Sequence, residues 1–417
     1  VTDEKGNAVP CQVLEGGYHN YWYHNYMKLI IQPMVPGMGY TTIKLTEGEL
    51  KQIPIQFHWE RRHQEKEELI LENNLLRVKL NREDGSLESV LEKETGRELL
   101  DTTRKTGVFQ YILEANHKAV SEWRSEMSSW LVGRFKKTEI LNDNLEVTVR
   151  KGKLRESVFY EMKFHNSSMK VEVALDADSR SLDYRVICDW HEIGTEEKGV
   201  PRLQFLMPLP YKDADYIQDI PFGIVSRKEL GTDTPAVSFT AAYGEEAGIA
   251  VTSKNTYGYR CENDSIALAM LRSSFEPDLY PENGICLSEF SVVFFEKKGS
   301  GRDLIAKMRK YHVDMDVVSG EYHTGSLPLE NSYFHIEGKG VIMTALKVAE
   351  DGNGLILRLH ETEGNKQKAA LCWDRPVRKA IQRDLLERDC KGLPCSGCKA
   401  EIEMEPYSIA TVKMQFS

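Results

Sequence analysis

The chain has no excess of positive charge. Fifty-four lysines and arginines stand against 64 aspartates and glutamates, for a formal net charge of -10. Binding to nucleic acid rests on cationic groups that displace counterions from phosphates, so this balance argues against a nucleic-acid partner. Anionic membrane surfaces are disfavoured on the same ground. The chain also lacks any run near the roughly 20 apolar residues needed to span a bilayer. Its apolar runs, such as Ile53–Phe57, are strand-sized. No secretory leader opens it, and it begins at Val1, not at a methionine, so it reads as part of a longer polypeptide. A nucleophile elbow, a P-loop and an HExxH helix are all missing. Helical periodicity is scarce, and neither a fixed-period repeat nor a low-complexity tract occurs.

What remains is a globular composition, 41% hydrophobic and 28% charged over 417 residues, a length that suits about two to four domains. Turn-forming residues punctuate short runs of period two. Leu75–Leu80 places Leu76, Val78 and Leu80 on one face, and Met169–Leu175 alternates likewise. Val186–Cys188, Gly248–Thr252, Ile266–Leu271 and Phe290–Phe295 read in the same way. Period two sets one face inward and one outward, which predicts an all-β protein built of sandwiches. One helix is expected at Arg302–Tyr311, where Leu304, Ile305 and Met308 share a stripe. The charged run Glu60–Glu68 and the Gly/Pro-interrupted stretch Val313–Pro328 suggest three pieces: 1–64, 65–314 and 315–417.

Eight cysteines are present. Cys11, Cys188, Cys261, Cys286 and Cys372 sit in strand-like runs and read as reduced thiols, which suggests a cytoplasmic location. Cys390, Cys395 and Cys398 leave three readings open: free thiols in a Gly-Pro loop, a disulfide, or a zinc knuckle with Cys372 as its fourth ligand. The aromatic run Tyr18–Tyr26 reads as a half-buried strand, a sugar or partner surface, or a histidine metal site. Asp189, His191 and Glu192 lie close in sequence, but strand alternation keeps Asp189 and Glu192 apart, and His191 with Glu192 is the adjacent pair a mutarotase-like epimerase would need. Asn166 and Asn263 begin glycosylation sequons of a kind that chance often produces.

Leu69–Leu100 resembles the opening strands of the large β-domain of glycoside hydrolase family 38, the α-mannosidases. Glu72, Asn73, Arg77, Gly85, Ser86, Thr95, Gly96 and Arg97 carry the match. Asp84-Gly85 and Thr95-Gly96 are turn pairs in which glycine tolerates positive φ. Further segments are similar in order: Val1–Gln12, Val35–Tyr40, Tyr184–Trp190, Pro221–Arg227, Tyr257–Tyr259, Leu271–Ser273 with Pro277-Asp278, Ala345–Gly364 and Pro406–Val412. Ser274, Tyr407 and Ser408 depart from the family pattern.

The resemblance implies a small leading β-domain, a central galactose-mutarotase-like super-sandwich and a C-terminal β-sandwich. It implies a zinc-dependent retaining α-mannosidase as the parent enzyme. The family's catalytic aspartate and zinc ligands lie in an N-terminal barrel whose motifs this sequence does not contain. No catalytic residue, metal ligand or cofactor is therefore expected in this chain, and zinc is expected in the barrel. The expected partners are that barrel and the helical domain of the same polypeptide, and mannosides; a homo-oligomer is compatible with the sequence. Arg272, with Tyr257 and Tyr259, is the candidate substrate contact, since a guanidinium fork suits sugar hydroxyls or a neighbouring carboxylate and a tyrosine can stack and donate. The contrasting readings are a stand-alone carbohydrate-binding or assembly module and an independent epimerase.

Overall fold

A computed structural model describes residues 1–19, 24–46, 61–62, 68–115, 127–142, 145–278, 282–296, 301–321 and 323–417. Among the described residues the architecture is all-β with one helix, Gly301–His312. Two sheets form the centre. A six-stranded sheet runs in the spatial order Phe135–Ile140, Val108–Glu114, Val200–Pro208, Ser265–Arg272, Gly258–Cys261, Asp233–Pro235. A ten-stranded sheet has Gly284–Glu296 and Ser181–Trp190 as its middle neighbours. A four-stranded sheet, Leu69–Glu72 through Arg97-Glu98, adds to the same core.

The alternating residues drive this packing. In Leu76–Leu80 the side chains of Leu76, Val78 and Leu80 are buried and Arg77 is exposed. Phe109 and Phe205 from the six-stranded sheet meet Tyr184 and Phe290 from the ten-stranded one, with Tyr184 stacked on Phe290 at 4.9 Å between centroids. Offset and edge-on aromatic contacts of this kind add to the gain from burial. Gly85 and Gly96 take positive φ in the turns that follow Asp84 and Thr95, as their sequence predicts. The buried Asp84 carboxylate caps its own turn by accepting from the Ser86 amide, and pairs with Lys105.

The helix lies on the far side of the ten-stranded sheet. Leu304 and Met308 are buried against Phe239, Ala241, Val293 and Phe295, with Ile305 beside them. The stripe read from the sequence is thus the face that docks.

Phe334–Phe416 forms a second sandwich of a four-stranded and a five-stranded sheet, cored by Phe334, Leu357, Leu371, Trp373, Ile402 and Val412. The leading segment touches both sandwiches. The Gln12 side chain accepts from the Leu154 and Arg155 amides and donates to the Arg155 carbonyl. Gly39–Thr41 pairs with Glu330–Ser332. That pairing needs a glycine, because a Cβ at residue 39 would sit 1.9 Å from the Asn331 carbonyl oxygen. Among the described residues no helix is long and apolar enough to cross a membrane.

Candidate functional site: a charged cluster on the six-stranded sheet

The six-stranded sheet has two unlike faces. Its inner face carries the aromatic core. Across its outer face, Arg202 and Arg272 are direct neighbours on adjoining strands, and Arg260 pairs with Asp233 on the next two. Like charges opposite one another repel, so the pattern requires acids between them.

Glu114 and Asp233 supply those acids. Glu114 accepts a two-bond fork from Arg272, at 2.8 and 2.7 Å, and the Gly133 amide at 2.9 Å. Arg202 Nη1 lies 3.7 Å from Glu114 and 2.5 Å from Asp233 Oδ2. Arg260 Nε donates to Asp233 Oδ1 at 2.8 Å. The Phe135 ring lies 4.0 Å from the Arg260 guanidinium and 5.3 Å from that of Arg202, a cation–π contact with both. Arg202 and Glu114 are fully buried. Burial alone would raise the Asp233 carboxyl; the Arg202 charge, with bonds from Arg260 and Arg202, outweighs it and holds the group below its ordinary range. The Arg202 Nε and Nη2 atoms have no hydrogen-bond partner among the described residues. A cavity of about 430 Å³ opens beside the cluster, lined by Val132, Arg134, Phe135, Thr232, Arg260 and Glu262 among others.

Arg272 therefore sits in a network. Besides Glu114, it donates to the carbonyls of Ser128 and Leu131 at 2.6 and 2.8 Å, and so pins the segment around Trp130. Trp130 itself is 72% exposed. Tyr257 is exposed as well, whereas Tyr259 is fully buried with its hydroxyl donating to the Ser238 carbonyl. The three residues singled out in the sequence share neither a hydrogen bond nor a ring contact in the described structure. Sequence reading missed Glu114, Arg202, Asp233 and Trp130; Glu114 and Asp233 lie at strand ends and Arg202 within a strand, with no local motif to mark them.

The other candidates resolve separately. Asp189, near the end of Ser181–Trp190, and His191, just beyond it, meet at 2.8 Å with both side chains partly exposed. Glu192 turns inward, where the Asn166 amide and the Ser167 hydroxyl donate to it, so His191 and Glu192 do not converge. Cys390, Cys395 and Cys398 are exposed free thiols, and all eight cysteines are unpaired. Cys372 faces His335 across a strand pair. In the aromatic run, residues 20–23, with Trp22 and Tyr23, lie outside the described residues. The flanking strands Cys11–His19 and His24–Ile31 pair antiparallel. Most of the charged run Glu60–Glu68 also lies outside.

The comparisons with known proteins agree with this layout. Residues 71–280 match the glycosyl hydrolases family 38 C-terminal domain, about half of the chain. The chain belongs to glycosyl hydrolase family 38. Residues 340–412 match that family's C-terminal beta sandwich domain. Among curated relatives, human Alpha-mannosidase 2C1 is 24% identical over 249 residues, covering 57% of this chain and 23% of that protein. Alpha-mannosidase G of Dictyostelium discoideum is 21% identical over 365 residues, covering 83% of this chain and 32% of that protein. An alpha-mannosidase structure from Enterococcus faecalis V583 superposes with a TM-score of 0.72 at 14% identity, covering 100% of this chain and 50% of that one. The chain thus spans half or less of these relatives, and corresponds to their C-terminal region.

A zinc ion does not fit the charged cluster. Its cationic members are guanidinium groups, which offer no lone pair, and both of its acids are taken up by them.

Proposed function

We propose that this chain is the non-catalytic C-terminal portion of a zinc-dependent retaining α-mannosidase. In that reading it supports the catalytic barrel, in the three-part division 1–64, 65–314 and 315–417. The observation that carries it is the state of the two carboxylates in the charged cluster: Glu114 and Asp233 are both spent on arginines and free for neither nucleophilic attack nor proton transfer. Retaining glycoside hydrolysis needs one carboxylate to attack the anomeric carbon and a second to act as acid and then base. We place both, and the zinc, in the preceding part of the polypeptide.

At the rim we assign substrate contact to Tyr257 and Arg272, with Tyr259 supporting them from the core. Arg272 also acts as a positioning residue, since its fork to Glu114 and its bonds to Ser128 and Leu131 fix the loop that presents Trp130. An exposed indole is a good platform for a sugar ring. It also favours the second reading, a carbohydrate-binding module.

The test is co-production of this chain with the upstream half of its reading frame. Co-purification, with α-mannoside turnover only when both are present, supports the scaffold. Equal turnover by the upstream half alone rejects it.

A further inference from the structure

The terminal sandwich carries a cluster that the proposed mannosidase role does not use. On its four-stranded sheet, Phe334–Glu337 runs antiparallel to Gln367–Trp373, and His335 is the direct cross-strand partner of Cys372. Residues directly opposite in an antiparallel pair hold their Cβ atoms about 4.5–5.5 Å apart. Glu337 lies two residues beyond His335 and so emerges on the same face. The imidazole, thiol and carboxylate each bring one donor atom to within 4.8 Å of the others, and His335 Nε2 lies 3.7 Å from Glu337 Oε1.

We propose that His335, Glu337 and Cys372 form a surface site for a borderline-soft divalent cation of the zinc class. One sulfur, one imidazole nitrogen and one carboxylate oxygen make up a three-ligand set, and the open face leaves a fourth position to water. With metal–ligand bonds of about 2.0–2.3 Å, tetrahedral ligand atoms stand roughly 3.3–3.7 Å apart, so the donors need to close by up to about 1.5 Å. The His335 and Glu337 side chains are 64% and 56% exposed and can rotate that far. Binding forms a metal–thiolate bond and releases the Cys372 proton to solvent.

Lys399 is the built-in competitor. It is the cross-strand neighbour of Cys372 on the other side, and its ammonium group lies 2.8 Å from Glu337 Oε2. A bound cation must share Glu337 with that ammonium or displace it. Removing the lysine charge should therefore tighten the site, an effect that a set of ordinary surface ion pairs would not produce.

The test is titration of the reduced 417-residue chain with Co²⁺, reading the thiolate-to-metal charge-transfer band, followed by displacement with Zn²⁺. The expected result is one Co²⁺ per chain with a thiolate band. Cys372→Ser abolishes the band, His335→Ala weakens binding by about a hundredfold or more, since even outer-shell changes at metal sites cost 10–100-fold, and Lys399→Met tightens it. The Cys390→Ser/Cys395→Ser/Cys398→Ser variant keeps the band. The proposal is overturned if no thiolate band forms in excess Co²⁺, if the band survives Cys372→Ser, or if it disappears with the three exposed cysteines. All of these positions are on the surface or partly exposed, and unchanged circular dichroism identifies the variants that remain comparable.

Discussion

The two sandwiches bury a carboxylate in different ways. In the central one, Glu114 is held by the Arg272 guanidinium fork, with Arg202 at 3.7 Å and a single backbone amide. In the terminal one, Glu361 is equally buried but is held by three backbone amides, those of Glu363 and Gly364 in a tight turn and of Tyr407 on the adjoining loop, at 2.8–2.9 Å. Backbone amides carry partial charges that are fixed when the loop folds. Guanidinium groups carry full charges that must themselves be desolvated. The central arrangement is therefore the more costly to break, because losing Glu114 removes the carboxylate that Arg272 forks and leaves Arg202 with Asp233 as its one remaining acid among the described residues, whereas losing Glu361 strands only neutral donors.

That difference can be measured. The largest effect is expected for Glu114→Gln, which should cost about 3–5 kcal/mol in urea unfolding, the range found when one partner of a buried pair is removed. A loss close to zero would mean that the central network is no tighter than a surface pair. Glu361→Gln should cost less, about 1–3 kcal/mol, the desolvation penalty of unsatisfied amides; equality with Glu114→Gln would erase the distinction.

Acid titration sharpens it further. Arg202 and Arg260 hold the Asp233 carboxyl below its ordinary range against the opposing effect of burial. A carboxyl depressed in the folded state contributes stability that is complete above the unfolded value, about 4, and is lost as the pH falls through the folded one. The wild-type melting temperature should thus drop as the pH is lowered past that point, and Asp233→Asn should flatten this acid limb. An unchanged limb would dissociate Asp233 from the stability of the sheet. The smallest effect belongs to Lys368→Ala on the solvent side of the terminal sandwich, whose pairing with Glu401 is exposed, so its melting temperature should match that of wild type.

The same contrast shows how far the sequence can be read. Alternation in Leu75–Leu80 and Met169–Leu175, the turn at Asp84-Gly85 and the helical stripe of Leu304 and Met308 are local patterns, and each has the burial that its period requires. Arg272 stood out as a candidate, yet its principal partner, Glu114, is 158 residues away along the chain and reaches it only because Val200–Pro208 lies between their strands. No local pattern encodes that neighbourhood. Cys372 is a parallel case. In the sequence it was the plausible fourth ligand for Cys390, Cys395 and Cys398, but strand pairing places it opposite His335. Tyr257 and Tyr259 part because the strand begins between them: Tyr257 lies just before Gly258–Cys261 and ends in solvent, whereas Tyr259 lies within it and ends in the core.

The central claim is that these strands support a reaction whose machinery lies elsewhere in the polypeptide, and it is tested most directly by incubating the purified 417-residue chain with an aryl α-mannoside, with and without added Zn²⁺. The account predicts no release of the aryl alcohol above the uncatalysed rate in either case. Turnover comparable to that of a full-length family 38 α-mannosidase would contradict it.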